Sequence, residues 1–364
     1  EKGDGNSRMN SFLGNTQTKT VHLPYDAMIH EARTPDTKNG AQTGFYPGGE
    51  YIFQKHFTAP QAWQGKPVSL VFEGVYQTAL VYLNGWLLTR NVNGYAEFTV
   101  EAGPYLKYGA DNLLKVIADN SLEPNSRWYT GSGIYRPVRL LVGNKVYLPQ
   151  DTVRITTREA DEGFALLDVT AQVQSASTVT ERVTLQQTIC REGTAVLTDR
   201  QNLLLQPGES RTVSFRYCVD SPALWSPENP NLYTSTMQVL EGEEELDREE
   251  TGFGIRTLSI DAAHGVRING QTVKLRGACI HHDNGILGAA TLPDAEERRI
   301  RQLKEAGFNA IRSSHHPAGR ALLDACDRYG VLVMDELSDV WNVRKNPYDY
   351  ALYFEQDWKP TIQK

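Results

Sequence analysis

Two polar bursts, each at the end of an apolar run, hold the side chains of this 364-residue chain that are best placed to do chemistry. The first is Asn309-Ala-Ile-Arg-Ser-Ser-His-His-Pro317, where Ala310 and Ile311 give way to Arg312, His315 and His316. The second, Val273-Lys-Leu-Arg-Gly-Ala-Cys-Ile-His-His-Asp-Asn-Gly285, ends in His281 and His282. A third apolar run, Val331-Leu-Val-Met334, ends at Asp335 and Glu336, with Asp339 and Trp341 shortly after. A guanidinium is costly to bury without a carboxylate partner, so Arg312 calls for an acidic neighbour. The nearest candidates in sequence are Asp335 and Glu336. Adjacent residues on a strand point to opposite faces, so His281 and His282 cannot both grip one ion without a bulge.

The intervening segments supply the scaffold. Asp294 to Ala306 has helical periodicity through Ala295, Ile300, Leu303 and Ala306, and Gly307 stops it. Leu322, Leu323, Cys326 and Tyr329 repeat at helical spacing, and Gly330 ends that segment. The order is strand, helix, strand, helix, strand. Barrels and doubly wound sheets gather their active-site residues at the C-terminal ends of parallel strands, which is where these bursts fall.

Upstream the texture is all-β. Tyr51–Phe57, Val68–Phe72, Ala79–Leu83, Ala96–Val100 and Leu113–Ala118 read as strands, with Asn84-Gly85 a hairpin turn, and together they predict a β-sandwich over residues 1–148. Residues 149–256 read as a second, immunoglobulin-like sandwich, with strands at Leu166–Val173, Val183–Ile189, Leu203–Leu205 and Arg211–Phe215. The acidic run Glu241 to Glu250 lacks the ligand spacing of a calcium loop and reads as a solvated hairpin. Residues 257–364 form the third segment, and without a low-complexity linker the three should pack directly on one another.

Composition narrows the function. A net charge of −7 offers no basic stripe, which argues against nucleic acid and anionic membranes as partners. The four cysteines show no CxxC spacing, and no apolar run approaches the ~18 residues a membrane span needs. No signal peptide is visible, although the chain opens at Glu1, so both cytoplasmic and secreted or periplasmic locations stay open. Homo-oligomerisation is likewise open.

The order Asn309-x-Ile-Arg-Ser-Ser-His-x-Pro317, Leu322-Leu323, Asp327, Gly330 and four apolar residues resembles the first signature of glycoside hydrolase family 2. That family usually has Tyr where this chain has His316. Leu23-Pro-Tyr-Asp26, Phe72-Glu-Gly-Val75, Tyr82-Leu-Asn-Gly85 and Arg127-Trp-Tyr-Thr-Gly-Ser-Gly-Ile-Tyr-Arg136 resemble its amino-terminal sugar-binding jelly roll. Trp225-Ser-Pro-Glu-Asn-Pro-Asn-Leu-Tyr233 resembles its immunoglobulin-like domain.

The resemblance implies a jelly roll, an immunoglobulin-like sandwich and the first part of a (β/α)8 barrel, acting on a carbohydrate. His281 and His315 would contact sugar hydroxyls, and Asn91 would reach the site from its loop. Asp339 and Trp341 would line the sugar subsite. Arg312 would hold the nucleophilic Glu ionised, the alternative being a structural ion pair with Glu336 or Asp335. Trp128 and Tyr129 can lie on a sugar's apolar face, the alternative being a sandwich edge in which Trp128 and Tyr135 are core. A magnesium site is not expected, because Val340 and Asn342 stand where some members carry its ligands; no cofactor is implied.

Retaining glycosidases use two carboxylates about 5–5.5 Å apart. The family takes its acid from an Asn-Glu pair after the fourth barrel strand and its nucleophile from beyond the seventh, whereas no Asn-Glu follows Arg256 here. Both glutamates are therefore expected past Lys364, and the 364 residues alone are expected to be inactive. The implied activity is a retaining exo-β-glycosidase, β-galactosidase first and β-glucuronidase as the rival. From another class, a non-catalytic carbohydrate-binding or adhesion protein is the alternative.

Overall fold

Strict alternation along the chain produces two stacked pairs of sheets. In the computed structural model, residues 2, 3 and 18–362 are described; residues 1, 4–17, 363 and 364 of the segments anticipated above lie outside them. The first sandwich packs a five-stranded sheet, in the order Lys2–Gly3, Glu50–Thr58, Asp111–Asp119, Thr78–Leu83, Trp86–Asn91, on a three-stranded sheet of Phe98–Glu101, Val68–Phe72 and Val138–Val142. Its core is the inward half of each strand: Leu70, Phe72, Val81, Leu83, Phe98 and Val116 are all buried. Asn84 and Gly85 take positive φ of 53° and 89°, the turn that matches strand twist in a tight hairpin.

The second sandwich joins Arg154–Ala160, Phe164–Ser175 and Ser210–Asp220 in one sheet and Thr194–Leu205, Glu181–Arg191, Tyr233–Glu241 and Glu244–Phe253 in the other. Val146–Tyr147 pairs with Ser175 and Gln174, and Val146 and Leu148 sit in this second core, so the chain enters the module slightly before residue 149. The acidic run forms the hairpin of Tyr233–Glu241 with Glu244–Phe253, turning at Gly242.

After the antiparallel strands Leu258–Asp261, Gly265–Ile268 and Gln271–Thr272 comes a parallel sheet of three strands, β1 (Gly277–Ile280), β2 (Ala310–Ser313) and β3 (Leu332–Met334). Register aligns Ile280 with Ser313 and Arg312 with Met334, so the three carboxyl ends lie side by side. Helices α1 (Pro293–Glu305) and α2 (Arg320–Tyr329) make the crossovers, and α3 (Phe354–Ile362) follows. Ile300, Ile311, Leu322, Ala325, Cys326 and Val331 form the core between helices and sheet.

The modules are tied by specific contacts. Trp225 of the second sandwich is buried and donates its indole N–H to the Asp327 carbonyl at 2.9 Å. Gly330 ends α2 at φ 69°, and a Cβ there would lie 2.3 Å from the Pro227 carbonyl, so both backbone conformation and close approach require glycine. Arg320 on α2 reaches Glu97 in the first sandwich at 2.9 and 3.0 Å and also pairs with Asp151. No described helix is long and apolar enough to cross a membrane.

Candidate active site

Arg312 leaves β2 near its end and Glu336 stands just beyond β3, and parallel pairing of those strands brings them together. Arg312 Nε lies 3.0 Å from Glu336 Oε1, and His315 Nδ1 lies 2.8 Å from Glu336 Oε2. The acidic neighbour demanded by the guanidinium is therefore Glu336, the partner named in the structural alternative. All three side chains keep part of their surface in solvent, so this bridge orients groups at the mouth more than it stabilises the fold.

A tryptophan from the first sandwich roofs these strand ends. Trp128 stacks on His281 with centroids 5.4 Å apart and planes 17° from parallel, and its centroid lies 5.4 Å from that of His315. The two imidazoles meet edge to face at 5.8 Å. Trp128 Nε1–H donates to the Tyr95 hydroxyl at 3.1 Å, which fixes the indole in its plane. The histidines converge on one indole but border different spaces: His315 lines a small groove of about 20 Å³ with Tyr95, Asp339, Tyr350 and Trp358, whereas His281 lines a separate cavity of about 10 Å³. Tyr135 is fully buried and donates to the Gly94 carbonyl at 2.9 Å, the core reading of that residue.

Behind His281 and His315 lies a second histidine pair. His282 Nδ1 and His316 Nε2 are 3.1 Å apart; His282 Nε2 faces the Thr130 carbonyl at 2.9 Å and His316 Nδ1 the Pro317 carbonyl at 3.2 Å. These three contacts need three protons, and two neutral imidazoles carry two. Burial pushes His282 down to about 3 against the pull of the Thr130 carbonyl. It also pushes His316 well below the usual range, with His282 and Arg136 adding to the effect. Both rings are therefore neutral, and one of the three contacts is left without a proton. His316, which replaces the family's usual Tyr, stacks on Tyr95 at 3.9 Å and 8°.

Asp339 sits at the groove rim between Arg127 Nη2 at 2.6 Å and Lys345 Nζ at 2.8 Å. Burial would raise its carboxyl, but these two cations hold it below the ordinary range. Trp341 is 69% exposed and does not line the groove. Nor does Asn91; its side-chain amide donates to the Asn93 carbonyl at 2.6 Å. Asn93 is the residue of that loop in the groove. Its Oδ1 accepts from the Tyr95 and Ala96 amides at 3.0 and 3.1 Å, and its Nδ2 donates to Asp357 Oδ2 at 2.6 Å. The Asn-x-Asn-Gly spacing carries this signal, since the second Asn is the one that can cap the turn's amides. Among the described residues no three His, Cys, Asp or Glu side chains gather as a metal-binding group.

Aromatic and imidazole side chains at the carboxyl ends of parallel strands, walled by a sandwich loop, fit a site for a polyhydroxylated ring. Sequence comparison points the same way. A galactose-binding domain-like model of glycosyl hydrolase 2 matches residues 18–164, the glycosyl hydrolases family 2 model matches 146–256, and the TIM barrel domain model of that family matches 262–350. The chain belongs to glycosyl hydrolase family 2, and its modules are that family's galactose-binding-like domain, immunoglobulin-like domain and the start of its barrel.

It is 37% identical over 355 residues to the β-galactosidase BoGH2A of Bacteroides ovatus, matching 97% of this chain and 42% of that protein. A solved family 2 member from Bacteroides cellulosilyticus superposes with a TM-score of 0.91 at 37% identity, over 95% of this chain and 45% of the other. Bacteroides uniformis β-glucuronidase 2, solved covalently bound to cyclophellitol-6-carboxylate aziridine, gives 0.79 at 27% identity, over 91% and 40%. The chain thus spans less than half the length of these relatives.

Proposed function

We propose that these residues form one wall of the sugar site of a retaining exo-β-glycosidase that removes terminal β-linked galactose by double displacement. The observation that carries this reading is the convergence of His281, His315 and Trp128 above the Arg312–Glu336 pair at the strand ends. Trp128 offers a flat apolar face to a sugar ring, and His315 and Asp339 offer polar atoms at its edge. Arg312 supports the nucleophile electrostatically, and Asn91 acts through Asn93 on the groove wall. The two catalytic carboxylates belong to sequence outside these 364 residues; the relatives' length and the open three-stranded sheet support this. The covalent adduct of the B. uniformis relative supports double displacement.

A β-glucuronidase would need a cation free to meet the substrate's carboxylate. Arg127 and Lys345 are both engaged by Asp339, and Arg312 by Glu336, so such a cation would have to come from outside this wall. The test is kcat/KM of the complete polypeptide containing these residues on p-nitrophenyl β-D-galactoside and β-D-glucuronide. Faster galactoside cleavage is expected. Faster glucuronide cleavage transfers the assignment to the rival, and sugar binding without turnover makes the protein a lectin. The 364 residues alone should turn over neither substrate; hydrolysis abolished by Glu336→Gln would make Glu336 catalytic.

A further inference from the structure

Between the Arg136 loop of the first sandwich and the helix-covered side of the parallel strands lies a cavity of about 10 Å³, bordered by Arg136, His281, Glu296, Ser313, Gly319 and Leu322. Arg136 and Glu296 are each only 2% exposed. Three polar atoms of the bordering residues are buried without a protein partner: Arg136 Nε, Glu296 Oε2 and His281 Nδ1. The other polar atoms of the two charged groups are committed. Arg136 Nη1 donates to the Tyr95 carbonyl at 2.6 Å and Nη2 to the Pro317 carbonyl at 3.0 Å. Glu296 Oε1 accepts from Asn284 Nδ2 at 2.8 Å and from Arg299 Nη2 at 3.4 Å. Gly319 abuts the guanidinium, since a Cβ there would lie 3.3 Å from Arg136 Nε.

Holding one water takes roughly 10–15 Å³ and two to four polar partners, and a buried donor or acceptor left unmatched is expensive. We propose that this cavity binds a single water molecule that links Arg136 and Glu296 to His281 and sets the tautomer of that imidazole. Arg136 fixes one hydrogen-bond direction, and we assign the other two so that both water hydrogens are used. Arg136 Nε–H can only donate, so the water accepts from it; the carboxylate oxygen accepts one water hydrogen. The second hydrogen goes to His281 Nδ1, which leaves the ring proton on Nε2. His281 Nε2–H is then the ring's donor, with the Ser314 backbone within its reach, and the ring is held flat against Trp128. Arg136 and Glu296 become positioning residues, one from each module. The importance of that donor to catalysis rests on the proposed sugar-contacting role of His281.

Gly319→Ala removes the water without deleting a polar group. Gly319 has φ −78°, which alanine adopts freely, and the added methyl occupies the Arg136 side of the cavity. In the 15N-histidine-labelled 364-residue chain, with the His281 signals assigned by their loss in His281→Gln, the wild type should show the Nε2–H tautomer. Gly319→Ala should shift it toward a mixture, as should Glu296→Gln, which serves if the first variant fails to fold. A crystal structure should show one water within hydrogen-bond distance of all three atoms. An Nδ1–H tautomer in the wild type, an unchanged pattern in both variants, or an empty cavity overturns the proposal. In the complete polypeptide, Gly319→Ala should raise KM roughly three- to tenfold with little change in kcat, the scale of one weakened hydrogen bond. If the tautomer results hold but His281→Ala leaves KM unchanged, the sugar-contacting role fails and the water site stands.

Discussion

Arg312 Nε and Glu336 Oε1 stand 3.0 Å apart, an ion pair that joins the ends of two neighbouring parallel strands at the mouth of the groove. His315 occupies the second carboxylate oxygen, so Glu336 has both oxygens engaged before any substrate arrives. Arg312→Ala should lower kcat of the complete glycosidase on the order of a hundredfold while changing KM much less, comparable to loss of one preorganised electrostatic group. The acidic limb of kcat/KM should move to higher pH, because a nucleophile without its cation is harder to ionise. Arg312→Lys should recover only part, lacking the planar fork. An unchanged kcat and an unshifted limb would reduce Arg312 to a partner of Glu336.

Trp128 is the sandwich's contribution to the proposed sugar wall. Trp128→Ala removes the surface shared by His281 and His315 and should raise KM for the β-galactoside about tenfold, the scale of a lost aromatic stacking contact. Trp128→Phe keeps an aromatic face but loses the bond to Tyr95, so its KM should fall between the two. Equal KM for all three proteins would remove Trp128 from the wall.

The buried histidine pair makes stability depend on pH. Folded His282 and His316 hold protons less tightly than the unfolded chain does, so their stabilising effect is complete above about pH 6.5 and is lost as pH falls, for His282 toward about 3. For His282 the loss between pH 6.5 and 5 is about 2 kcal/mol. Glu249, raised to about 7 by burial with Asp151 and Asp247 adding, works in the opposite sense. Comparison with a variant isolates the pair: in urea unfolding at pH 7, 6 and 5, His316→Tyr should fall off less steeply than wild type. Parallel curves would show that folding leaves the proton affinity of His316 unchanged.

Trp225 links the second sandwich to the barrel segment through Asp327 and lies under Arg256 at 4.3 Å. Trp225→Ala should cost about 3–5 kcal/mol in urea unfolding, as emptying a buried aromatic site does. Trp225→Phe should cost about 1–3 kcal/mol, chiefly for the orphaned Asp327 carbonyl. A loss below 1 kcal/mol in the alanine variant would mean that the two modules do not stabilise each other there.

Local pattern made much of this legible. Val68–Phe72 and β1 to β3 stand out because apolar runs end abruptly in turn or polar residues, and α1 and α2 because their periodicity ends at Gly307 and Gly330. The match of Arg312 to Glu336 follows from a charge that needs a partner near in sequence. Contacts between distant residues were not legible. Thr130 and His282 are 152 positions apart and become hydrogen-bonded only when the sandwich loop closes over the strand ends. Arg154–Ala160 is a largely polar edge strand whose alternation is too weak to read. Asn91 and Asn93 are the same residue type, and only the position of the second in Asn-x-Asn-Gly, where it can accept from the Tyr95 and Ala96 amides, tells them apart.

The hydrogen bond from Arg136 Nη2 to the Pro317 carbonyl spans 181 positions, which turns a spatial contact into an interval on the ribosome. At synthesis rates of about 5–20 residues per second, the partner arrives about 10 to 40 seconds after the arginine. Because domains fold as units in the order of their synthesis, the first sandwich is expected to fold before that moment, with its most buried arginine still wet. Translation speed through residues 137–317 therefore sets how long this seam is open to other nascent chains.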